Sequence, residues 1–217
     1  AARAGLLAAR GPTAAVDATG LETHHVSAHY GYQHSAAYRA AYGQLHAGAR
    51  PRGRHRRPKH PKLTIAVHTS SHLIAGALPT WGPGSDTATL AAVVRQAAAL
   101  LRLRTVVADA GFDGEANHVF CRETLRIPRT VIRLNRRRTR RCWPQTRYRR
   151  EMRRRFRWRV YHRRQQAESV FSRDKRRLGS ALTARLPQHQ DEEQILRVLT
   201  HNLMILHRSS TTFQQSR

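Results

Sequence analysis

Forty lysines and arginines against thirteen aspartates and glutamates give this 217-residue chain a formal charge of +27, a field that draws polyanions and weakens steeply with salt. The length fits one domain with elaborations, and 40% hydrophobic residues suffice for a core. No apolar run approaches the roughly 20 residues of a membrane-spanning helix, and no basic helix carries the large apolar face that a membrane surface needs. Cys121 and Cys142 form no CxxC pair, so a disulfide framework and a cysteine zinc site are both unsupported and a reducing cytoplasm is the natural compartment. The fourteen histidines are scattered, and His24-His25 lacks an HExxH context.

The chain opens on AARAGLLAAR, without Met and too short and uncharged for a signal peptide. Residues 1–12 therefore read as the remnant of a truncated N-terminal region. TAAVDAT (13–19) reads as a short buried strand that delivers Asp17 at its end, with Glu22 beyond it. Residues 23–60 are rich in His, Tyr, Gly and Arg and run into the basic loop RPRGRHRRPKHP. Alternation of Leu63, Ile65 and Val67 with Thr64, Ala66 and His68, a Ser70-Ser71 turn and SHLIAGALPT predict a hairpin. Trp81-Gly-Pro-Gly breaks the chain. Ser85 or Asp86 then caps a helix with Leu90, Val93, Val94, Ala97, Leu100 and Leu101 on one side.

TVVA (105–108) is a β-branched strand that ends at Asp109, followed by an Ala110-Gly111-Phe112 turn. Asp113 is best used as the cap of a helix holding Ala116, Val119 and Phe120, although it is also the alternative to Asp109 as a ligand. Glu22 and Glu115 read as solvated and Glu123 as lying on the outer face of its helix. RTVIRL (129–134) supplies a further strand. Residues 133–159 hold fourteen arginines interrupted by Cys142, Trp143, Tyr148, Phe156 and Trp158, a connection too charged for a core and suited to tracking a nucleic-acid backbone. Trp143 and Trp158 either pin this insertion to the domain, the favoured reading, or stack on an unpaired base. Asp191 to His207 reads as an amphipathic helix with acids in its first turn and Ile195, Leu199 and Leu203 in its interior, and the tail from 209 as disordered.

Tyr161 to Leu178, YHRRQQAESVFSRDKRRL, has neither Pro nor Gly and stops at Gly179. At about 100° per residue, Tyr161, Arg164, Glu168 and Lys175 fall within roughly a 60° arc, beside an apolar strip of Ala167, Val170, Phe171 and Leu178. The plain reading is a surface helix with an Arg164–Glu168 pair worth about 0.2–0.5 kcal/mol. Acids are scarce here, however, and Asp17 and Asp109 each end an apolar run, where ligand sites of α/β sheets gather. Three converging carboxylates raise one another's pKa unless a cation sits among them. Oxygen-only ligands favour a hard ion, Mg²⁺ or Mn²⁺.

The spacing Tyr-x2-Arg-x3-Glu-x6-Lys resembles the Y-R-E-K signature of DDE transposases of bacterial insertion sequences. VDATG and VVADAGFDGE are similar to that family's first and second motifs. The resemblance implies an α/β, ribonuclease H-like mixed sheet flanked by helices over residues 13–208, with an Arg-rich insertion (about 135–160) before the last catalytic helix. It implies Asp17, Asp109 and Glu168 as catalytic ligands of a pair of Mg²⁺ or Mn²⁺ ions, and Tyr161, Arg164 and Lys175 as DNA contacts. It further implies cleavage at transposon ends, strand transfer of the 3′ hydroxyl into target DNA, a homodimer on paired ends, and residence in the cytoplasm with the nucleoid. A basic nucleic-acid-binding remnant without catalysis, and a nuclease that cuts without joining, remain as alternatives.

Overall fold

The TAAVDAT run forms the strand at the centre of the molecule, β1 (Thr13–Gly20), whose Ala14, Ala15 and Val16 are wholly buried. The computed structural model describes residues 12–23, 60–82, 84–135 and 143–215. The expected N-terminal remnant up to residue 11, His24-His25, the basic loop up to residue 59 and Cys142 lie outside the described residues. After β2 (Glu22–Thr23), the hairpin forms as β3 (His60–His68) and β4 (Ile74–Gly82). His60 and Pro61 pair with Gly82 and Trp81, so the strand begins two residues before Lys62.

β5 (Thr105–Ala108) and β6 (Arg129–Ile132) complete a five-stranded sheet of order β4-β3-β1-β5-β6. β3 runs antiparallel to β1 and β4, whereas β5 and β6 run parallel to β1. This is the expected mixed α/β sheet of ribonuclease H-like form. Successive side chains of a strand point to opposite faces. Ala14, Val16, Val106 and Ala108 accordingly join one core with helix α1 (Leu90–Leu100), through Leu90, Val93, Val94 and Ala97. Leu100, at the rim of the same arc, is solvent-exposed, a departure from the expected six-residue face. Ala15, Val67, Val107 and Val131 point the other way, to Ala167, Val170 and Phe171 of a later helix.

α1 lies so close to the sheet that a Cβ at Gly76 would collide with the Val93 carbonyl oxygen, a backbone atom that cannot swing aside. Gly76→Ala is expected to cost about 1–3 kcal/mol of stability through overpacking, read as a lower urea midpoint.

Asp113 does not cap the helix that follows. Gly114 holds the N-cap position of α2 (Glu115–Val119), which continues into a π-helical turn at Phe120–Thr124. Its inward side chains are Asn117, His118 and Cys121, not Ala116. The Arg-rich insertion, expected as a connection, contains helix α3 (Arg147–Arg154), with Tyr148 and Met152 buried. Asp113 serves this helix: its carboxylate takes Arg149 Nε at 2.8 Å and Nη2 at 2.9 Å, and the Asn135 N–H at 2.9 Å. Glu115 is not simply solvated either. It accepts the Tyr148 and Arg149 N–H groups at 2.9 and 3.1 Å, satisfying first-turn donors that α3 itself cannot pair. Glu123 accepts the Tyr148 hydroxyl at 2.7 Å, and Arg122 pairs with Glu151 at 2.6 Å.

The helix read from Tyr161 to Leu178 starts earlier and is interrupted. α4 (Trp158–Tyr161) passes through a 3₁₀ turn (His162–Arg164) into α5 (Gln165–Leu178), which ends at Gly179 with φ of 84°. Gly is favoured there because it has no Cβ to strain. β7 (Ala181–Leu182) pairs with β2, and α6 (Pro187–Gln215) closes the described chain. α6 is longer at both ends than expected, and its turned orientation overturns the expected interior: Ile195, Leu199 and Leu203 face solvent. The reason is what α6 covers. Gly179, Ala181, Thr183 and Ala184 present backbone groups that need partners. Arg197 donates to the Gly179 carbonyl at 2.7 Å, and Glu193 accepts from the Thr183 and Ala184 amides at 2.9 Å. Asn202 pairs with both backbone groups of Ile74, at 2.8 and 2.9 Å. The polar face is therefore the inward one.

Candidate active site

Parallel pairing sets Val16 beside Ala108 and Ala108 beside Ile132. The next residue along each strand is Asp17, Asp109 and Arg133. Neighbouring strands lie about 4.8 Å apart, so Asp109 and Arg133 leave the sheet at the carboxyl ends of their strands, where α/β sheets place their ligands, and Asp17 stands level with them; it does not end its strand as expected, since β1 runs on to Gly20 along β3. Asp17 shares the parity of Ala15, and Asp109 that of Val107, so both belong to the face covered by α5.

The 3₁₀ turn brings the helical residues to this edge. Side chains three apart eclipse in such a turn, and the Arg164 guanidinium lies 5.7 Å over the Tyr161 ring. Tyr161 is buried against Phe156 and Trp158, and its hydroxyl donates to Asp109 Oδ1 at 3.2 Å. Arg164 bridges the other two acids: Nη2 is 2.7 Å from Glu168 Oε1, and Nη1 is 3.8 Å from Asp17 Oδ2. Lys175, further along α5, donates to Thr19 Oγ1 at 3.0 Å and tethers the helix to the end of β1. The six residues singled out from the sequence thus meet along one edge, with Tyr161 and Arg164 holding acids and Lys175 holding a strand.

Burial pushes the Asp17 carboxyl up to about 6; the Ala18 amide and Arg164 pull it back, while the charges of Glu168 and Asp109 add to the rise. Burial also raises the Tyr161 phenol, helped by the Asp109 charge. Burial works against the Arg164 charge, yet its bond to Glu168 and the nearby Tyr161 and Asp109 leave it raised. Its Nε is buried without a partner.

The donor chemistry fits a hard divalent ion, since the edge gathers the carboxylates of Asp17, Asp109 and Glu168. Among the described residues no three His, Cys, Asp or Glu side chains stand close enough to hold an ion as they are. The Arg164 guanidinium stands between two of the acids, 2.7 Å from Glu168 and 3.8 Å from Asp17.

Sequence reasoning passed over Arg133 and Thr19. Arg133 stacks 5.8 Å over Trp158, and its N–H donates to the Ala108 carbonyl at 3.4 Å. The available signal was a charged residue interrupting the apolar RTVIRL run, as Asp17 and Asp109 interrupt theirs. Trp158 is half exposed and packs edge-on to Phe156 at 4.8 Å, so it belongs to the aromatic cluster behind Tyr161.

A ribonuclease H-like sheet with one carboxylate on its central strand and another just after the neighbouring parallel strand defines the class. The family model for the transposase DDE domain matches residues 9–203, and the chain belongs to that family. DNA transposition and recombination, a nuclease-class function, come with the family, as does a general use of divalent metal ions. No curated protein and no solved structure matches the chain. No helix among the described residues is long and apolar enough to cross a membrane.

Proposed function

We propose that the chain cuts DNA at transposon ends and joins the freed 3′ hydroxyl to target DNA, with Asp17, Asp109 and Glu168 as its catalytic carboxylates. The observation that carries this reading is the side-by-side placement of Asp17 and Asp109 on neighbouring parallel strands, with Asp17 joined to Glu168 through Arg164. The three acids would hold two ions, Mg²⁺ or Mn²⁺. When bound, such ions activate the attacking oxygen and stabilise the leaving one.

The chain's own side chains do the rest. Tyr161 fixes the rotamer of Asp109 through its hydroxyl, and Lys175 fixes α5 against β1. Arg164, once released from Asp17, has bidentate geometry for a phosphate beside the scissile bond. Tyr161 and Lys175 complete the DNA contacts on either side of it. The net charge of +27 draws the duplex to this edge. A homodimer on paired ends and association with the nucleoid follow from the same reading.

The second reading, a basic DNA-binding protein without catalysis, draws on the Arg164 bridge, which pairs with Glu168 at 2.7 Å and reaches Asp17 at 3.8 Å. A supercoiled plasmid carrying the DNA that flanks the reading frame separates the two. Mg²⁺-dependent nicking that disappears in Glu168→Gln while DNA binding persists supports the enzyme. Wild type that never nicks with Mg²⁺ or Mn²⁺ supports the binder. Joined products from a 3′-hydroxyl donor distinguish a transposase from a nuclease that only cuts.

A further inference from the structure

Asp17 turns one uncommitted oxygen toward Glu168. Its Oδ1 accepts the Ala18 amide at 3.0 Å, and its Oδ2 faces the Arg164 guanidinium at 3.8 Å. The same guanidinium holds Glu168 Oε1 at 2.7 Å. A divalent ion shared by these two acids must approach that fork, and like charges at close range on a half-buried edge repel strongly. The fork is also poorly served where it stands. At 3.8 Å its contact with Asp17 is too long for a hydrogen bond. Its Nε is buried without an acceptor, a cost that a new partner would recover. We propose that Arg164 is a switch that couples DNA binding to metal binding. In the DNA-free protein it occupies Asp17 and Glu168 as their counter-cation, and a DNA phosphate that draws it away opens both acids to the ions.

The switch asks only a side chain to move. β1 and α5 stay joined without it, through the Lys175 ammonium on Thr19 and through the core that Ala15 shares with Ala167, Val170 and Phe171. The Tyr161 ring, 5.7 Å from the guanidinium, is itself fixed by its hydroxyl on Asp109 and by Phe156 and Trp158. It is a platform on which the cation can turn without losing its aromatic contact. The Glu168 side chain is half exposed, so a phosphate can reach the guanidinium from the surface. A phosphodiester meets that fork with two oxygens, a better match than one short and one long contact to separate acids. DNA and the ions then both favour the released arrangement, and each must strengthen binding of the other by the same factor. The ions are thereby held weakly until DNA is in place.

This deepens the proposed function and rests on its assignment of Asp17 and Glu168 as ion ligands; the test reads binding and not cleavage, so the two can fail separately. Mn²⁺ uptake by the DNA-free full chain, followed by electron paramagnetic resonance, is expected to be weak. Arg164→Gln should tighten it on the order of 10-fold or more. Arg133→Gln, which removes an equal charge from the same edge where Arg133 stacks on Trp158, should tighten it far less. Reciprocally, replacing EDTA with Mn²⁺ at fixed ionic strength should tighten wild-type binding of a short labelled duplex carrying the flanking DNA, on the order of 10-fold by fluorescence anisotropy. Arg164→Gln should lose most of that gain. The wild-type comparison stands even where Arg164→Gln does not fold. Wild-type duplex affinity indifferent to Mn²⁺ would overturn the switch, as would Arg164→Gln that binds Mn²⁺ no more tightly than Arg133→Gln. Wild type that takes up Mn²⁺ neither alone nor with DNA would overturn the switch and the metal-dependent reading together. Wild type that shows the linkage and never nicks would leave the switch standing and overturn the enzyme.

Discussion

Asp17→Asn is expected to stop DNA cleavage while making the metal-free protein more heat-stable at neutral pH. The stability gain follows from the raised pKa. The Asp17 carboxyl titrates at about 6 in the folded chain instead of its ordinary 3.8, with burial as the main cause. Folding therefore favours the protonated form. Its contribution is fully present below about pH 3.8 and is lost as pH rises through about 6. Above that the carboxylate lies buried beside Glu168 and Asp109 with only the long contact to Arg164, and the cost is at most about 3 kcal/mol. Asparagine keeps the shape and removes the charge, while Arg164 retains its 2.7 Å contact with Glu168.

Melting scans in EDTA should show the variant several degrees above wild type at pH 7.5, and the gap closing at pH 4. Added Mg²⁺ should raise the wild-type curve and leave the variant unmoved. Cleavage should fall on the order of 10³-fold or more, because charge stabilisation by a bound ion is worth several kcal/mol. A variant that melts below wild type at pH 7.5 without metal would show that the Asp17 charge is compensated in the fold and that burial does not set its cost.

Legibility in the sequence followed the kind of force involved. Strands and α1 were legible because burial on a sheet imposes a period: Ala14 and Val16 face one core, Ala15 the other. The two aspartates were legible because Asp17 and Asp109 interrupt apolar runs in a chain poor in acids, although β1 runs on past Asp17 to Gly20. What they touch was not. The eclipsing of Tyr161 and Arg164 depends on a 3₁₀ turn that no residue type announces, and an ideal helix would have placed them differently. α6 misled for the opposite reason. Its apolar period is real, but the groups beneath it are unpaired amides and carbonyls, and hydrogen-bond satisfaction decided which face went inward. In the insertion the spacing of Tyr148 and Met152 was present, four apart, but fourteen arginines obscured it.

The charge density of that insertion makes its attachment to the domain depend on very few acids, and Asp113 is the central one. Its side chain is 1% exposed and receives the Arg149 guanidinium through two nitrogens. Arg149→Ala would leave a buried carboxylate with only the Asn135 N–H, and breaking a buried pair from one side costs about 3–5 kcal/mol. For a domain of this size that corresponds to a fall in melting temperature of about 10 °C. The loss should be local before it is global: Tyr148 and Met152 come out of the core first, so trypsin should cut within Arg147–Arg154 well below the melting temperature. Asp113→Leu combined with Arg149→Met, which removes both charges and keeps apolar volume, should recover most of the stability. Equal losses for the double and the single variant would mean that α3 is held by Glu115 and its apolar contacts alone, and that the Asp113 pair merely decorates a helix already in place.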